Sequence, residues 1–267
     1  MLRADSLSFA YPGDRTSGGG PTWLLRDVAL EVPTGSFTGL IGPNGCGKTT
    51  LLRLCAGMLR PDRGVLTLDG QDVTALPRRA LARRLAVVPQ ATHPVFDYTA
   101  MEMVLMGRHP HLGRFQFEGP DDLRHAERAL AATGTSHLAH RTFGTLSGGE
   151  QQRVVIAAAL VQATDVLLLD EPTASLDLGY QLEVASLLAA LNRDRGITML
   201  MATHDLNLAA SVCDRLILLR DGHVLAQGPT RDVLTDDAVR ALYGVDVDIV
   251  AHERSGRLVV LPVRPVR

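Results

Sequence analysis

Residues 42–50, Gly-Pro-Asn-Gly-Cys-Gly-Lys-Thr-Thr, constrain the fold more than any other stretch of the chain. They follow the apolar run 37–41 and lead into the pattern Leu51, Leu52, Leu54, Cys55, so they read as a strand, a glycine turn and the start of a helix. Gly42, Gly45 and Gly47 allow positive φ and close backbone approach. Successive N–H groups can then converge at a helix N-terminus, where the dipole favours an anion. The expected anion is a polyphosphate, with Lys48 reaching its β and γ phosphates and the Thr49 hydroxyl ligating Mg²⁺. Asn44, Cys46 and Thr50 complete the loop. Lys48 is the only lysine among 27 basic residues, the other 26 being arginine. A sequence so biased toward arginine has spared one position, consistent with a site that needs a compact ammonium among backbone amides rather than a planar fork.

At 267 residues and 46% hydrophobic composition the chain is long enough to bury a large core, as one domain or as a core with a smaller lobe. Its net charge, 27 minus 29 or −2, gives no indication of nucleic acid or of an acidic membrane surface. Cys46, Cys55 and Cys213 are odd in number and widely spaced, which argues against a disulfide framework or a zinc site and fits a reducing cytoplasm. For Cys46 two readings stand: a thiol acidified by the helix N-terminus, or a small residue that fits the turn. The N-terminus carries Asp5 and no long apolar core, unlike a signal peptide. The longest apolar stretch, 154–169, is interrupted by Gln162 and Asp165 and is too short to span a bilayer. The chain is therefore expected to be soluble, with any membrane role supplied through a partner.

Alternation predicts strands over 2–10 and 22–32, joined by a Gly/Ser/Pro-rich loop over 13–21. Residues 67–69 before Gly70 close a small antiparallel patch, and 85–88 form a short buried strand ending at Pro89-Gln90. From about 91 to 162 the pattern turns helical. Thr99 with Glu102 forms a capping box opening a helix to Met106, and Pro120 with two aspartates opens another through Ala132. A parallel α/β core then resumes with strand 166–170, helix 180–192 and strand 197–203 and runs on through 206–212 and 215–219, strands alternating with helices. Residues 237–243 form a short helix, and 245–250 with 257–263 flank Ser255-Gly256 as a hairpin. The predicted organisation is a core over 1–235, with the helical stretch inserted, and an extension over 236–267.

Strand 166–170 runs into Glu171 and delivers two carboxylates at its C-terminal edge, where ligands sit in open α/β sheets. Asp170 is expected to hold Mg²⁺ through its water shell, and Glu171 to orient and deprotonate the water attacking the γ phosphate. Residues 146–153, Leu-Ser-Gly-Gly-Glu-Gln-Gln-Arg, place a serine cap and two glycines before an apolar helix, a second anion-binding terminus. One nucleotide uses two such distant termini most economically when they come from two copies. ATP would then lie between Lys48 of one protomer and Ser147, Gly148 and Gly149 of its partner in a head-to-tail homodimer.

Taken in order, Tyr11, the Walker A stretch 42–50, Gln90, the LSGGEQQR signature at 146–153, the Walker B stretch 166–171, Ser175-Leu176-Asp177 and His204 resemble an ABC transporter ATPase over about 200 residues. The implied fold is α/β: a P-loop NTPase ABC ATPase core with an antiparallel β subdomain and an inserted α-helical subdomain. The resemblance further implies that Tyr11 stacks on adenine, Gln90 senses Mg²⁺ and the attacking water, Asp177 communicates across the dimer and His204 contacts the γ phosphate. Two features depart from the family pattern: the loop 13–21 lengthens the path from Tyr11 to Lys48, and Thr49 stands where serine is frequent.

Three further stretches, Met103 through His111, Asp205-Leu206-Asn207-Leu208-Ala209-Ala210 and Leu242-Tyr243-Gly244-Val245, resemble ATPases of importers for ferric siderophores, haem and cobalamin. In that family the segment after Gln90 receives the permease's coupling helix, which makes Phe96, Tyr98, Arg108 and His109 candidate contacts. His109-x-His111 reads as a solvated loop rather than a metal or haem site, since a proline intervenes and no third ligand is near. The resemblance implies a peripheral protein at the cytoplasmic face of the membrane, a homodimer beneath two permease subunits and a substrate-binding protein, with no nucleic-acid partner. The alternatives are a soluble ABC ATPase of translation or DNA repair, and an exporter ATPase.

Overall fold

The computed structural model describes residues 1–13, 21–113, 115–174 and 176–265. Most of the connection expected over 13–21 lies outside these residues, as does Ser175. The chain begins with β1 (Leu2–Phe9), β2 (Leu25–Val32), β3 (Phe37–Ile41), α1 (Lys48–Cys55), β4 (Arg63–Leu68) and β5 (Gln71–Asp72). It continues with α2 (Arg78–Ala82), β6 (Leu85–Val88), α3 (Ala100–Leu105), α4 (Pro120–Ala132), α5 (Gly148–Leu160), β7 (Val166–Asp170) and α6 (Leu178–Arg195). The last elements are β8 (Thr198–Thr203), α7 (Leu206–Val212), β9 (Arg215–Arg220), β10 (His223–Pro229), α8 (Thr230–Val233), α9 (Asp236–Tyr243), β11 (Val245–Ala251) and β12 (Leu258–Pro265). They fall into two compact units, Met1–Leu76 with Thr198–Arg267, and Pro77–Ile197.

In the first unit β3 lies between β8 and β9 and runs parallel to both, with Ile41 paired to Thr203 on one side and to Leu218 on the other. Every residue of β3 and β8 is buried. Parallel strands covered on both faces are largely apolar, which explains why these segments, apart from buried threonines, do not alternate with exposed polar residues. A second, antiparallel sheet has the order β2-β1-β4-β5. Strand β2 alternates between buried and exposed positions because only one of its faces meets a core. The extension is a helix, α9, and the antiparallel hairpin β11-β12, joined through Gly244 at φ +69, a left-handed helix terminus that glycine adopts without strain.

Strand β10 is absent from the sequence reading. It pairs with β9 across the two-residue turn Asp221-Gly222, whose φ values of +48 and +76 match the hairpin turns that an Asp-Gly pair favours. That dipeptide was the available signal. Helix α2 was also missed, because five residues are too few to display a 3.6-residue period.

The second unit holds β6 parallel to β7 together with the helices of the stretch 91–162. Thr99 and Glu102 form the expected capping box, and α4 runs from Pro120 to Ala132 as read from the sequence. Arg108, a candidate permease contact in the sequence, is instead 8% exposed. Its Nε donates to Asp122 Oδ1 at 2.8 Å and its Nη1 to Val161 O at 3.0 Å, so it ties the 3₁₀ turn Met106–His111 to α4 and to the end of α5. The Arg108 hydrogen bond, followed by the Gly119 amide, holds the Asp122 carboxyl below its ordinary value.

Arg108→Ala is expected to destabilise the fold at pH 7 by about 3 kcal/mol, because it leaves the shielded Asp122 carboxylate without its partner. The sign with pH follows from the lowered value. The pair's contribution is present in full above about pH 4, where a free aspartate is ionised, and is lost as pH falls through the lower folded-state value. Denaturant unfolding of both chains at pH 7 and at pH 3 checks this, with the gap between them expected to narrow in acid.

Candidate functional site

In the first unit, β3 ends at Ile41 and the glycine turn follows. A Cβ on Gly42 would lie 2.1 Å from Leu219 O and 2.7 Å from Cys46 Sγ, so no larger residue fits where the strand passes β9. Gly45 and Gly47 have φ of +81 and +104, and Gly47 is the N-cap of α1 with no side chain to satisfy the first-turn amides. Nor does the first turn carry an acidic residue. Those amides form an anion-accepting terminus. Lys48 is 6% exposed, and its Nζ donates to Gly42 O at 2.7 Å and to Pro43 O at 3.1 Å, folding the ammonium over the loop.

Asn44 and Gly45 are exposed, and Thr50 is buried with its Oγ1 3.2 Å from the Tyr11 hydroxyl. Tyr11 also sits edge-on to Phe9, ring centroids 5.0 Å apart. The structure thus brings Tyr11 to the loop despite the intervening connection. Of the two readings of Cys46, burial favours the packing one: it pushes the thiol up, against the opposing pull of Lys48. Cys55 is likewise pushed up to about 12 by burial. His204 is exposed on the turn between β8 and α7.

In the second unit, the parallel register Val88↔Leu169 carries Pro89-Gln90 alongside Asp170 and Glu171. Gln90 Nε2 donates to Glu171 Oε2 at 3.3 Å, so two residues singled out 81 positions apart meet. Glu171 has φ of +47, a left-handed conformation that a branched or long residue adopts only when its surroundings impose it. The sequence carried no sign of that strain.

Ser147 caps α5: its Oγ accepts from the Glu150 amide at 3.4 Å, and its own N–H donates to Glu150 Oε2 at 2.8 Å. These bonds from the Ser147 backbone and hydroxyl hold the Glu150 carboxyl below its ordinary value. Gly148 and Gly149 open the helix, and a Cβ on Gly149 would lie 2.3 Å from Tyr180 Cδ1. Tyr180, in the first turn of α6, is therefore part of this terminus, a role its place in the sequence did not suggest. Asp177 caps α6, its Oδ1 accepting from the Tyr180 amide at 3.0 Å. Gly149→Ala is expected to cost about 1–3 kcal/mol by overpacking against that ring. A thermal melt checks it, and an unchanged midpoint would mean that the ring moves aside.

Phe96 and His109 are exposed, as contacts to another molecule require, whereas Tyr98 is half-buried and lies edge-on to Phe96 at 6.0 Å. His111 is not part of a solvated loop: it is the last residue of the 3₁₀ turn, and its Nε2 lies 2.8 Å from Gln162 O, just beyond α5. Among the described residues no group of three or more His, Cys, Asp or Glu is placed to hold a metal, and no helix is long and apolar enough to cross a membrane.

Residues 25–174 match the family model described as ABC transporter. The chain is 43% identical over 91% of its length to the cobalamin import ATP-binding protein BtuD of Halobacterium salinarum, of which it spans 60%. It is 46% identical to the hemin import ATP-binding protein HmuV of Nocardia farcinica, over 94% of this chain and 86% of that one. With the ferric enterobactin transport ATP-binding protein FepC of Escherichia coli the identity is 38%, covering 98% and 94% of the two chains. Among solved structures, a chain described as belonging to a metal-chelate type ABC transporter in an inward-facing conformation superposes with a TM-score of 0.84 at 30% identity, covering 98% of this chain and 96% of that one. A dimeric bacterial ABC transporter cassette gives 0.73 at 28% identity, with 86% and 99% covered.

Proposed function

Since the chain belongs to the ABC transporter ATP-binding family, we propose that it is the ATP-hydrolysing subunit of a binding-protein-dependent importer whose cargo is a ferric siderophore, haem or cobalamin. The observation that carries the ATP-hydrolysing part of this reading is the pairing of Gln90 with Glu171 at the end of β7, in a chain whose single lysine closes over a glycine loop at the start of α1, and the likeness to importer subunits supports the rest. Residues 1–235 form the ATPase domain in this reading and 236–267 its extension.

In the reaction, water displaces ADP from the γ phosphate in line. Glu171 orients the attacking water and accepts its proton, Gln90 senses that water, His204 contacts the γ phosphate, and Lys48 with the loop amides holds the phosphates. Tyr11 stacks on the adenine. The Thr49 hydroxyl, the Gln90 amide oxygen and, through water, the Asp170 carboxylate are hard oxygen donors that would hold Mg²⁺. When bound, the ion neutralises charge on the β and γ phosphates. Ser147, Gly148, Gly149 and Asp177 act from a second copy of the chain, giving a homodimer with two anion-accepting helix termini for each nucleotide. Two permease subunits then place the dimer at the cytoplasmic face of the membrane, and a substrate-binding protein supplies the cargo.

Deleting the gene and assaying uptake of radiolabelled ferric siderophore, haem and cobalamin tests the reading. Loss of one uptake, restored by the wild-type chain and not by Glu171→Gln, supports it. Unaltered uptake of all three, or retention of the purified chain on DNA or ribosomes at physiological salt, overturns it.

A further inference from the structure

The C-terminal extension is bonded to the turn that carries His204. The Tyr243 hydroxyl, at the last residue of α9, donates to the His204 carbonyl at 3.4 Å. Three residues beyond His204, the Asn207 side chain makes a reciprocal pair with the backbone of Val260 in β12: Nδ2 donates to Val260 O at 3.2 Å, and the Val260 amide donates to Oδ1 at 2.8 Å. Both hydrogen-bonding atoms of one amide are therefore committed to a single residue of the hairpin, which fixes α7 to β12 in one register. Between these two points Asp205 caps α7 through the Leu208 amide at 2.9 Å, and its own N–H donates to Thr203 Oγ1 at 3.1 Å. The hairpin is itself held, with Asp246 accepting from Arg240 Nε at 2.8 Å and from Arg264 Nε at 3.0 Å.

Burial alone does not account for these bonds. Asn207 and His204 are exposed, and the apolar contribution of this turn to the interior comes from Leu208 and Ala209. An exposed amide that reads the backbone of one residue in a distant strand contributes orientation rather than core. The place of the His204 side chain follows from the backbone that carries it. That backbone is gripped from the extension on one side and by the Asp205 cap on the other.

We infer that Asn207 and Tyr243 are positioning residues, through which the extension fixes the turn bearing His204 in the place that phosphoryl transfer requires. This rests on the proposed reading of His204 as a γ-phosphate contact. Both side chains act on the turn and touch no nucleotide, so their removal lowers kcat through His204 and leaves ground-state binding alone.

The test compares Asn207→Ala, Tyr243→Phe and their combination in the full chain, each also on a His204→Ala background, with three readouts. In MgATP hydrolysis the double variant is expected to lose about tenfold in kcat, with the Kd for a fluorescent ATP analogue and the thermal midpoint both nearly unchanged. On the His204→Ala background the same pair is expected to cause no further loss, since residues that act through one group are not additive. Backbone amides 203–212 are expected to exchange with deuterium faster in the double variant. A full kcat in the double variant, an equal loss with and without His204, or unaltered exchange across 203–212 overturns the positioning role. A wild-type chain that binds nucleotide but hydrolyses none, alone or with its permease, overturns the ATPase reading on which the proposal stands, so the two failures are told apart.

Discussion

Lys48→Ala is expected to raise the Kd for MgATP at least about 100-fold. The lysine gives up two kinds of interaction at once. Its ammonium is lost as a partner for the phosphates, where a charge-assisted hydrogen bond contributes about 1.5–3 kcal/mol. The bonds from Nζ to Gly42 O and Pro43 O are lost as well, so the loop amides no longer converge as a preformed cradle. Lys48→Arg is expected to fail nearly as badly, because a planar fork cannot occupy the place of a point charge that is 6% exposed among carbonyls and amides. Isothermal titration with a non-hydrolysable ATP analogue checks both variants. An independent check uses the fact that Lys48 is the single lysine: an amine-selective reagent should modify its Nζ more slowly when magnesium nucleotide is bound. Equal rates would remove the loop from the nucleotide site.

The second large effect is on turnover. Glu171→Gln is expected to lower kcat by about 10² to 10⁴ while the Kd for MgATP stays within about twofold of wild type. The replacement is nearly isosteric, and its amide still offers a carbonyl oxygen to Gln90 Nε2, so the contact at 3.3 Å survives. Only the basicity needed to take a proton from the attacking water disappears. If the dimer closes on ATP and opens on hydrolysis, this variant should also accumulate as a dimer in MgATP, measurable by light scattering, where the wild type does not. Turnover at the wild-type rate would remove Glu171 from the role of base and leave the strained φ of +47 at that residue without a chemical reason.

Most of the site's parts were legible as local patterns because each is a local device. A glycine turn before a helix, a serine cap followed three residues later by glutamate, and a run of four apolar residues ending in carboxylates all follow from short-range sterics and hydrogen bonding. The structure reproduces them as the loop at Gly42 to Lys48, the capping box of Ser147 and Glu150, and β7. Strand β10 and helix α2 went unread for a related reason: elements of five to seven residues with a broken apolar pattern resemble loops until their turn chemistry is weighed.

The sequence by itself therefore determined that this chain is an α/β nucleotide-binding protein, and which residue types stand where phosphate, base and cap are needed. Only the tertiary structure decided which of those residues meet. It placed Gln90 on Glu171, turned the candidate contact Arg108 inward onto Asp122, slid Tyr180 under Gly149 and tied Asn207 to Val260. The physical reason is separation along the chain. Glycine and cap chemistry acts over three or four residues, whereas these contacts join positions from 14 to 81 apart and are fixed only when strands register and helices pack.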